Sequence, residues 1–426
     1  MLILIAVVFA VLLIIGLPIA FVLGATGLTH LLILGNESFY PVAIQRMFSG
    51  INSFSLMAIP FFVLAGELMN RGRVTDKLVD LARECIGHKR GGLAYTAVLV
   101  AMFLSAILGS ANAVCAILCS VLVPEMVKDK YSPEFSTSLI ASSAIIGPII
   151  PPSVTFILYA VLAGTSVNAL FMGGIVPGVL LGIGYMVVIF LTARKENFPK
   201  YKEKLEFSKV VKAVIYALPA LIIPLVIVGG ILTGVFTPTE SGAIACFVAF
   251  IAGMFIYKSL KWSDLPKVLL DTGILTSAIM LIIAMGNVLG WTLAIDQIPQ
   301  LLSSAILAVT DNQYIVMILI LFALLIIGMF MEAFASMVIF VPVFAPLALA
   351  VGINDVHFGL VFSLMISVAL ITPPVGMCLF VSSNITGVPL GKLSRSIVPF
   401  VVVSFIVVLL IAFIPKLVLF LPEMLL

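Results

Sequence analysis

The sequence predicts an all-α polytopic membrane protein built from two inverted structural repeats, each holding a re-entrant hairpin and a proline-broken helix. Three observations predict it. The 426-residue chain is 63% hydrophobic and only 10% charged, which leaves too little charge to cover a soluble surface. Twenty of its 22 Lys and Arg residues fall in five polar breaks that can all lie on one side of a bilayer. Four prolines also recur at a single offset: Pro124, Pro151, Pro152 and Pro177 return as Pro346, Pro373, Pro374 and Pro399, each 222 residues later.

Apolar segments run at 2–15, 18–34, 55–70, 93–123, 137–162, 169–193, 213–235, 240–257, 268–294, 313–350, 358–383 and 397–421. Most are near the roughly 20 residues that cross a ~30 Å hydrocarbon core. The period-two alternation of a membrane β-barrel is absent. The first segment, "MLILIAVVFAVLLIIGLPIAF", has no basic n-region and no small-residue cleavage site, so it is expected to be retained rather than removed as a signal peptide. Segments 93–123 and 313–350 exceed one crossing and hold small polar residues at their centres, "SAILGSANAV" and "GMFMEAFASM". That pattern suits a hairpin that enters and leaves by the same side.

The basic breaks at 71–90, 128–130, 194–212, 258–267 and 392–395 are placed in the cytoplasm, leaving only Arg46 and Lys416 outside them. The stretch 193–209, "ARKENFPKYKEKLEFSK", reads as an amphipathic segment along the inner membrane surface or joining the two halves. A second set of matches, Pro18, Ala58, Ile59 and Gly66 with Pro238, Ala278, Ile279 and Gly286, lies at an offset of 220. The charge assignment puts the loop after 123 inside and its counterpart after 346 outside, so the repeats have opposite orientation. The first repeat is 1–212, with scaffold helices over 1–90 and a hairpin and broken helix over 91–165. The second is 213–426, with scaffold helices over 213–300 and a hairpin and broken helix over 313–385. Inverted repeats with paired broken helices are the signature of secondary transporters, whose ions and substrate bind near the midplane.

The breaks carry the chemistry. A Pro-Pro pair removes backbone donors and forces the preceding residues out of helix. In lipid, the freed carbonyls of Gly147, Ile150 and Pro152, or of Ala369, Thr372 and Val375, are costly unless something ligates them. A sodium ion held by carbonyls and hydroxyls would satisfy them; a plain structural kink is the alternative. Small residues let hairpin arms approach closely, and at the 222 offset Ser110 faces Glu332. Ser105, Ser110 and Asn112 then offer oxygens beside the first break, and Gly328 offers backbone beside the second, unless Ser and Asn simply hold helices together. Glu332, an acid inside a long apolar run, is a functional-site hypothesis by default. It could pair with a cation, hydrogen-bond a hairpin tip while protonated, or carry a coupled proton. Glu67 is assigned to an ion pair near Arg71, and Glu240 to the positive end of a helix dipole.

Ser153 and Thr155 after the first break, Ser336 in the second hairpin, and Ser382, Ser383 and Asn384 after the second break are assigned to an anionic substrate. A half-helix N-terminus at the midplane favours such a group. The three histidines form no metal-ligand spacing, and the five cysteines lie mostly in apolar runs, where thiols act as small hydrophobes. No Walker A, HExxH, GxSxG or zinc-type cysteine cluster occurs, so no enzyme and no organic cofactor is expected. The expected surroundings are a lipid bilayer, with no nucleic acid.

The stretches "MAIPFFVLAGELMNRG" (57–72), "GSANA" (109–113), "GPIIPPS" (147–153), "FTPTESGA" (236–243) and "ITPPVG" (371–376) span nearly the whole chain. With them the chain resembles the large membrane (M) subunit of tripartite ATP-independent periplasmic (TRAP) transporters. The resemblance implies an elevator-type fold of the wider ion transporter superfamily, with a scaffold and a mobile transport domain. It implies coupling to Na+ at two or more sites, a small four-helix membrane (Q) subunit, and a soluble periplasmic substrate-binding protein that delivers a carboxylate. Sialic acid and C4-dicarboxylates are the substrates typical of the family, and the general look of this chain is nearer the sialic-acid branch. The bacterial inner membrane is the implied location. Because the chain starts directly at the large subunit, the small subunit is expected as a separate polypeptide. The hairpin tip reads Ser-Ala-Asn where many relatives have Ser-Gly/Ala-Ser/Thr.

Overall fold

The computed structural model describes residues 2–195, 198 and 206–425; the side chains of Leu2, Thr75, residues 105–108 and Phe207 fall outside the described set. Most of the stretch 193–209 therefore lies outside the described residues. Among the described residues ten α-helices make the first half: α1 (Leu2–Ile14), α2 (Ile19–Leu34), α3 (Phe39–Ile51), α4 (Ala58–Arg71), α5 (Val74–Ile86), α6 (Gly92–Leu108), α7 (Ala111–Lys128), α8 (Pro133–Ala144), α9 (Val154–Ala163) and α10 (Val167–Lys195). Eleven make the second: α11 (Phe207–Leu232), α12 (Pro238–Ile251), α13 (Leu265–Ile295), α14 (Ile298–Leu307), α15 (Gln313–Phe330), α16 (Ala333–Ala350), α17 (Asp355–Ala369), α18 (Met377–Thr386), α19 (Leu390–Ser396), α20 (Val398–Phe413) and α21 (Lys416–Leu425). No strand occurs among the described residues. Seven described helices are long and apolar enough to cross a membrane. The number is nine if the bent pairs α3–α4 (59°) and α19–α20 (54°) each count as one span. The chain is a multi-pass, all-helical membrane protein.

Local chemistry explains where the helices stop. Thr237 caps α12 in a reciprocal box: its backbone N–H donates to Glu240 Oε2 at 2.8 Å, and the Glu240 N–H donates to the Thr237 hydroxyl at 3.3 Å. Glu240 thus sits at a helix start, as its sequence position implies. Left-handed residues end or begin helices in matched pairs: Gly35 and Lys258, Arg73 and Gln297, Lys130 and Gly352, Gly164 and Gly387. The pairs are separated by 222 to 224 residues, so the chain turns in the same way at the same places in both halves.

Three readings of the sequence need correction. The break at 71–90 contains the amphipathic α5, whose "VTDKLVDLARECI" is too charged to register as apolar. The polar stretch before residue 55 contains α3, which runs into α4 across the 59° bend. Arg71 pairs with Asp271 of α13 at 3.2 Å, and among the described residues Glu67 takes part in no ion pair.

Two helix groups build the bundle. In one, α2, α3 and α4 pack along the long α13, α12 packs on α4, and α11 packs on α5 and α12. The other is centred on the broken helices. Every residue from Phe135 to Ile149 and from His357 to Thr372 is buried, so α8 and α17 are covered on all faces. Helices buried all round carry no amphipathic stripe. Lys392 of α19 pins the start of α8 by pairing with Glu134 at 3.2 Å.

Candidate ion and substrate site

The site begins at two tight turns. Helices α6 and α7 pack on each other across Gly109–Ser110, and α15 and α16 across Met331–Glu332. Ser110 and Glu332 both take the N-cap position of the returning helix, and neither side chain caps it. Gly109 has φ +59°, a conformation an L side chain adopts only under strain.

Each turn rests on a break. A Cβ on Gly109 would stand 3.1 Å from the Val154 nitrogen, and one on Gly147 would stand 3.5 Å from the Ser110 carbonyl carbon. At the other end, the Gly376 N–H donates to Met329 O at 3.1 Å. A Cβ on Gly328 would lie 2.6 Å from that of Ala369, so only a glycine allows this approach. The returning helices then cross over, with α7 packing on α18 and α16 on α9. The Cys378 thiol of α18 donates to Asn112 Oδ1 at 3.4 Å, and the Cys115 thiol of α7 donates to Cys378 O at 3.5 Å.

Among the described residues a small, partly open cavity lies between both turns and both breaks. Ser110 and Asn112 line it from the first hairpin, Glu332 from the second, Pro148 and Thr155 from the first break, and Leu370 from the second. Its volume, about 10 Å³, is the room of about one water molecule. Residues bearing hydroxyl, amide and carboxylate groups line it, the types of oxygen donor that suit a hard monovalent cation. Among the described residues no cluster of three His, Cys, Asp or Glu side chains occurs, so oxygen donors are what the cavity offers.

The predicted residues divide on this geometry. Ser110, Asn112, Thr155 and Glu332 come together at the cavity. Asn112, assigned from sequence to the first break, lines the cavity with Pro148 and Thr155 of that break and also meets Cys378 of α18 in the second half. Among the described residues nothing donates a hydrogen bond to the carbonyls of Gly147, Ile150 or Pro152; Pro148 O receives the Ser153 hydroxyl at 2.6 Å. At the second break Ala369 O is already occupied by the Thr372 N–H at 3.1 Å, and the Thr372 hydroxyl donates to Val368 O at 2.9 Å. The Thr372 and Val375 carbonyls receive no described donor. The side chain of Ser105 lies outside the described residues.

Of the six residues assigned to substrate, only Thr155 lines the cavity. Ser153 is the N-cap of α9 and accepts the Phe156 N–H at 3.1 Å. Ser336, Ser382 and Ser383 donate to the carbonyls of Glu332, Leu379 and Val388, and Asn384 is exposed. Sequence reasoning passed over Ser142 and Ser143, buried one turn before the first break, whose hydroxyls have no hydrogen-bond partner among the described residues. The small polar run "STSLIASSA" was the available signal.

The profile of the family described as "Tripartite ATP-independent periplasmic transporter, DctM component" matches residues 6–417. The chain belongs to this family. It is 36% identical over 413 residues to the sialic acid TRAP transporter large permease protein SiaM of Vibrio cholerae, covering 96% of this chain and 95% of that protein. It is 37% identical over 401 residues to the C4-dicarboxylate TRAP transporter large permease protein DctM of Pseudomonas aeruginosa, covering 94% and 93%. Its fold is similar to the crystal structure of the YdaH transporter of Alcanivorax borkumensis, with a TM-score of 0.64 over 89% of this chain and 90% of that one. At 13% identity that likeness concerns the fold alone. As a DctM component the chain is a transporter permease, not an enzyme.

Proposed function

We propose that the chain is the membrane transport subunit of a sodium-coupled secondary transporter that imports an organic anion. The substrate is a carboxylate such as sialic acid or a C4-dicarboxylate, handed over by a soluble periplasmic binding protein. The chain works in a bacterial inner membrane beside a small four-helix subunit supplied as a separate chain, with two or more Na+ ions and no organic cofactor. What carries this reading is the cavity between the hairpins and the breaks, about one ion in size and lined by Ser110, Asn112 and Glu332 of the two hairpins and Thr155 of the first break. The twofold recurrence of helix, turn, helix, buried helix, break and short helix supports two inverted repeats, 1–212 and 213–426, with re-entrant hairpins. The crossed packing of α7 on α18 and α16 on α9 ties the site elements into one unit. In an elevator cycle that unit slides past α13.

The test is uptake into proteoliposomes holding the chain with its small subunit. Accumulation is expected to require both an inward sodium gradient and the loaded binding protein. Glu332 at the cavity favours one rival, a proton-coupled carrier that needs no binding protein. Uptake driven by a pH gradient alone would establish that rival and discard sodium coupling. Asn112→Ala is expected to raise the half-saturating sodium concentration about tenfold, the cost of one lost oxygen ligand at about 1.4 kcal/mol, with normal expression and melting. Unchanged sodium activation would remove Asn112 from the ion site.

A further inference from the structure

We propose that a pocket beside Arg46, on the face opposite the basic loops, is a second carboxylate site where the transported anion waits before it reaches the hairpins. This rests on the anion-transport reading above. The pocket has a volume of about 330 Å³ and is lined by Arg46 of α3, Asn287 and Trp291 of α13, Leu162 at the end of α9, and Val338 and Pro342 of α16. That volume falls in the ~300–1,000 Å³ range of small-molecule sites, whereas the cavity between the hairpins has room for one water.

The donors suit an oxyanion. Arg46 and Lys416 are the only basic residues outside the cytoplasmic breaks. Arg46 is exposed, and no carboxylate pairs with it among the described residues. Its guanidinium presents a planar fork of N–H groups that matches a carboxylate in two parallel hydrogen bonds. Asn287 spends one amide N–H on Ile283 O at 2.8 Å, which leaves its other N–H and its carbonyl for hydroxyl or acid groups. The Trp291 ring is fixed edge-on against Phe39, with centroids 5.7 Å apart, and offers an indole N–H and an apolar wall.

Position links the pocket to the ion cavity. The same two helices, α9 and α16, border both. Thr155 and Phe334 line the cavity, and Leu162 and Pro342 line the pocket. At 1.5 Å rise per residue the two sites are about 10–12 Å apart along these helices. The opposite wall is held by close approach of α3 to α13, where a Cβ on Gly50 would stand 2.4 Å from the Asn287 amide nitrogen. One wall therefore belongs to the α13 group and the other to the hairpin unit, so sliding of that unit would open or close the pocket.

A lipid phosphate offers the same oxyanion chemistry, and the experiment separates the two sources. The chain carries two tryptophans, so Trp262→Phe leaves Trp291 as its sole indole. The variant, complexed with the small subunit in phosphatidylcholine nanodiscs, is titrated with succinate and with N-acetylneuraminate while Trp291 fluorescence is followed. The expected result is a saturable response to at least one anion. Adding Arg46→Ala should shift it to about tenfold or more higher concentration, and Arg46→Lys by an intermediate amount, since a charged hydrogen bond with one geometry lost is weakened rather than abolished. No saturable response to either anion overturns the proposal. So does a response that follows added phosphatidylglycerol and ignores both anions, which assigns Arg46 to lipid. Sodium-driven uptake is measured on the same complex. Its failure with the fluorescence response intact defeats the transport reading and leaves the site standing.

Discussion

Glu332→Gln is expected to raise the sodium concentration for half-maximal uptake by about 100-fold while leaving folding intact. Glu332 sits at the turn between α15 and α16, lines the cavity, and takes part in no ion pair among the described residues. A carboxylate at membrane depth costs several kcal/mol unless a cation or a proton neutralises it. An ion ~5 Å away at an effective dielectric of ~20 gains about 3 kcal/mol from that charge, which is roughly 100-fold in affinity. Glutamine keeps the shape and removes the charge. The pattern of effects therefore separates the three roles open to Glu332. Loss of sodium affinity assigns it to the ion. Unchanged sodium activation with an unchanged pH profile would leave it a protonated acid at the hairpin tip, and loss of pH coupling alone would make it the proton carrier.

How much of this site was legible in the sequence depends on how local each interaction is. The breaks were legible because proline and glycine act on their own backbone: "IIPPS" and "ITPPVG" interrupt helices wherever they occur. The 222-residue register also put Ser110 opposite Glu332, and both occupy N-cap positions of returning helices. The crossing of the returning helices was not legible. Pairing between elements is read from amphipathic stripes, and α8 and α17 are buried on every face. The contact of Asn112 with Cys378 of the other half was therefore not foreseen, although its place beside the first break was. The hydroxyls have a local role that the sequence reading did not weigh. Ser and Thr inside a helix tend to donate to the carbonyl one turn back, as Ser336 does to Glu332, Thr372 to Val368 and Thr386 to Ser382. Thr155 stands apart because it lines the cavity in the first turn of α9. Arg46 carried a signal that was noted and not used: a basic residue outside the cytoplasmic breaks, in a chain that keeps nearly all its others within them.

Gly109→Val is expected to abolish sodium-stimulated uptake, and the argument turns on separating strain from collision. At φ +59° any L residue costs about 1–2 kcal/mol, and a β-branched one more. Gly387, at φ +73° with nothing within 4 Å of a Cβ, carries the same strain alone, so Gly387→Val serves as the control. It is expected to lower the melting temperature while uptake persists. At Gly109 the added carbon would also stand 3.1 Å from the backbone nitrogen of Val154, an atom that no rotamer change can move. The turn must lift from the break, and the close stacking of Ser110 over Gly147 opens with it. A cavity with room for about one water tolerates little displacement, because even a few tenths of an ångström at the turn that lines it changes which groups an ion can reach. Equal loss of uptake in both variants would mean that backbone strain alone disables the protein. Normal uptake by Gly109→Val would mean that the first hairpin contributes nothing to holding the ion.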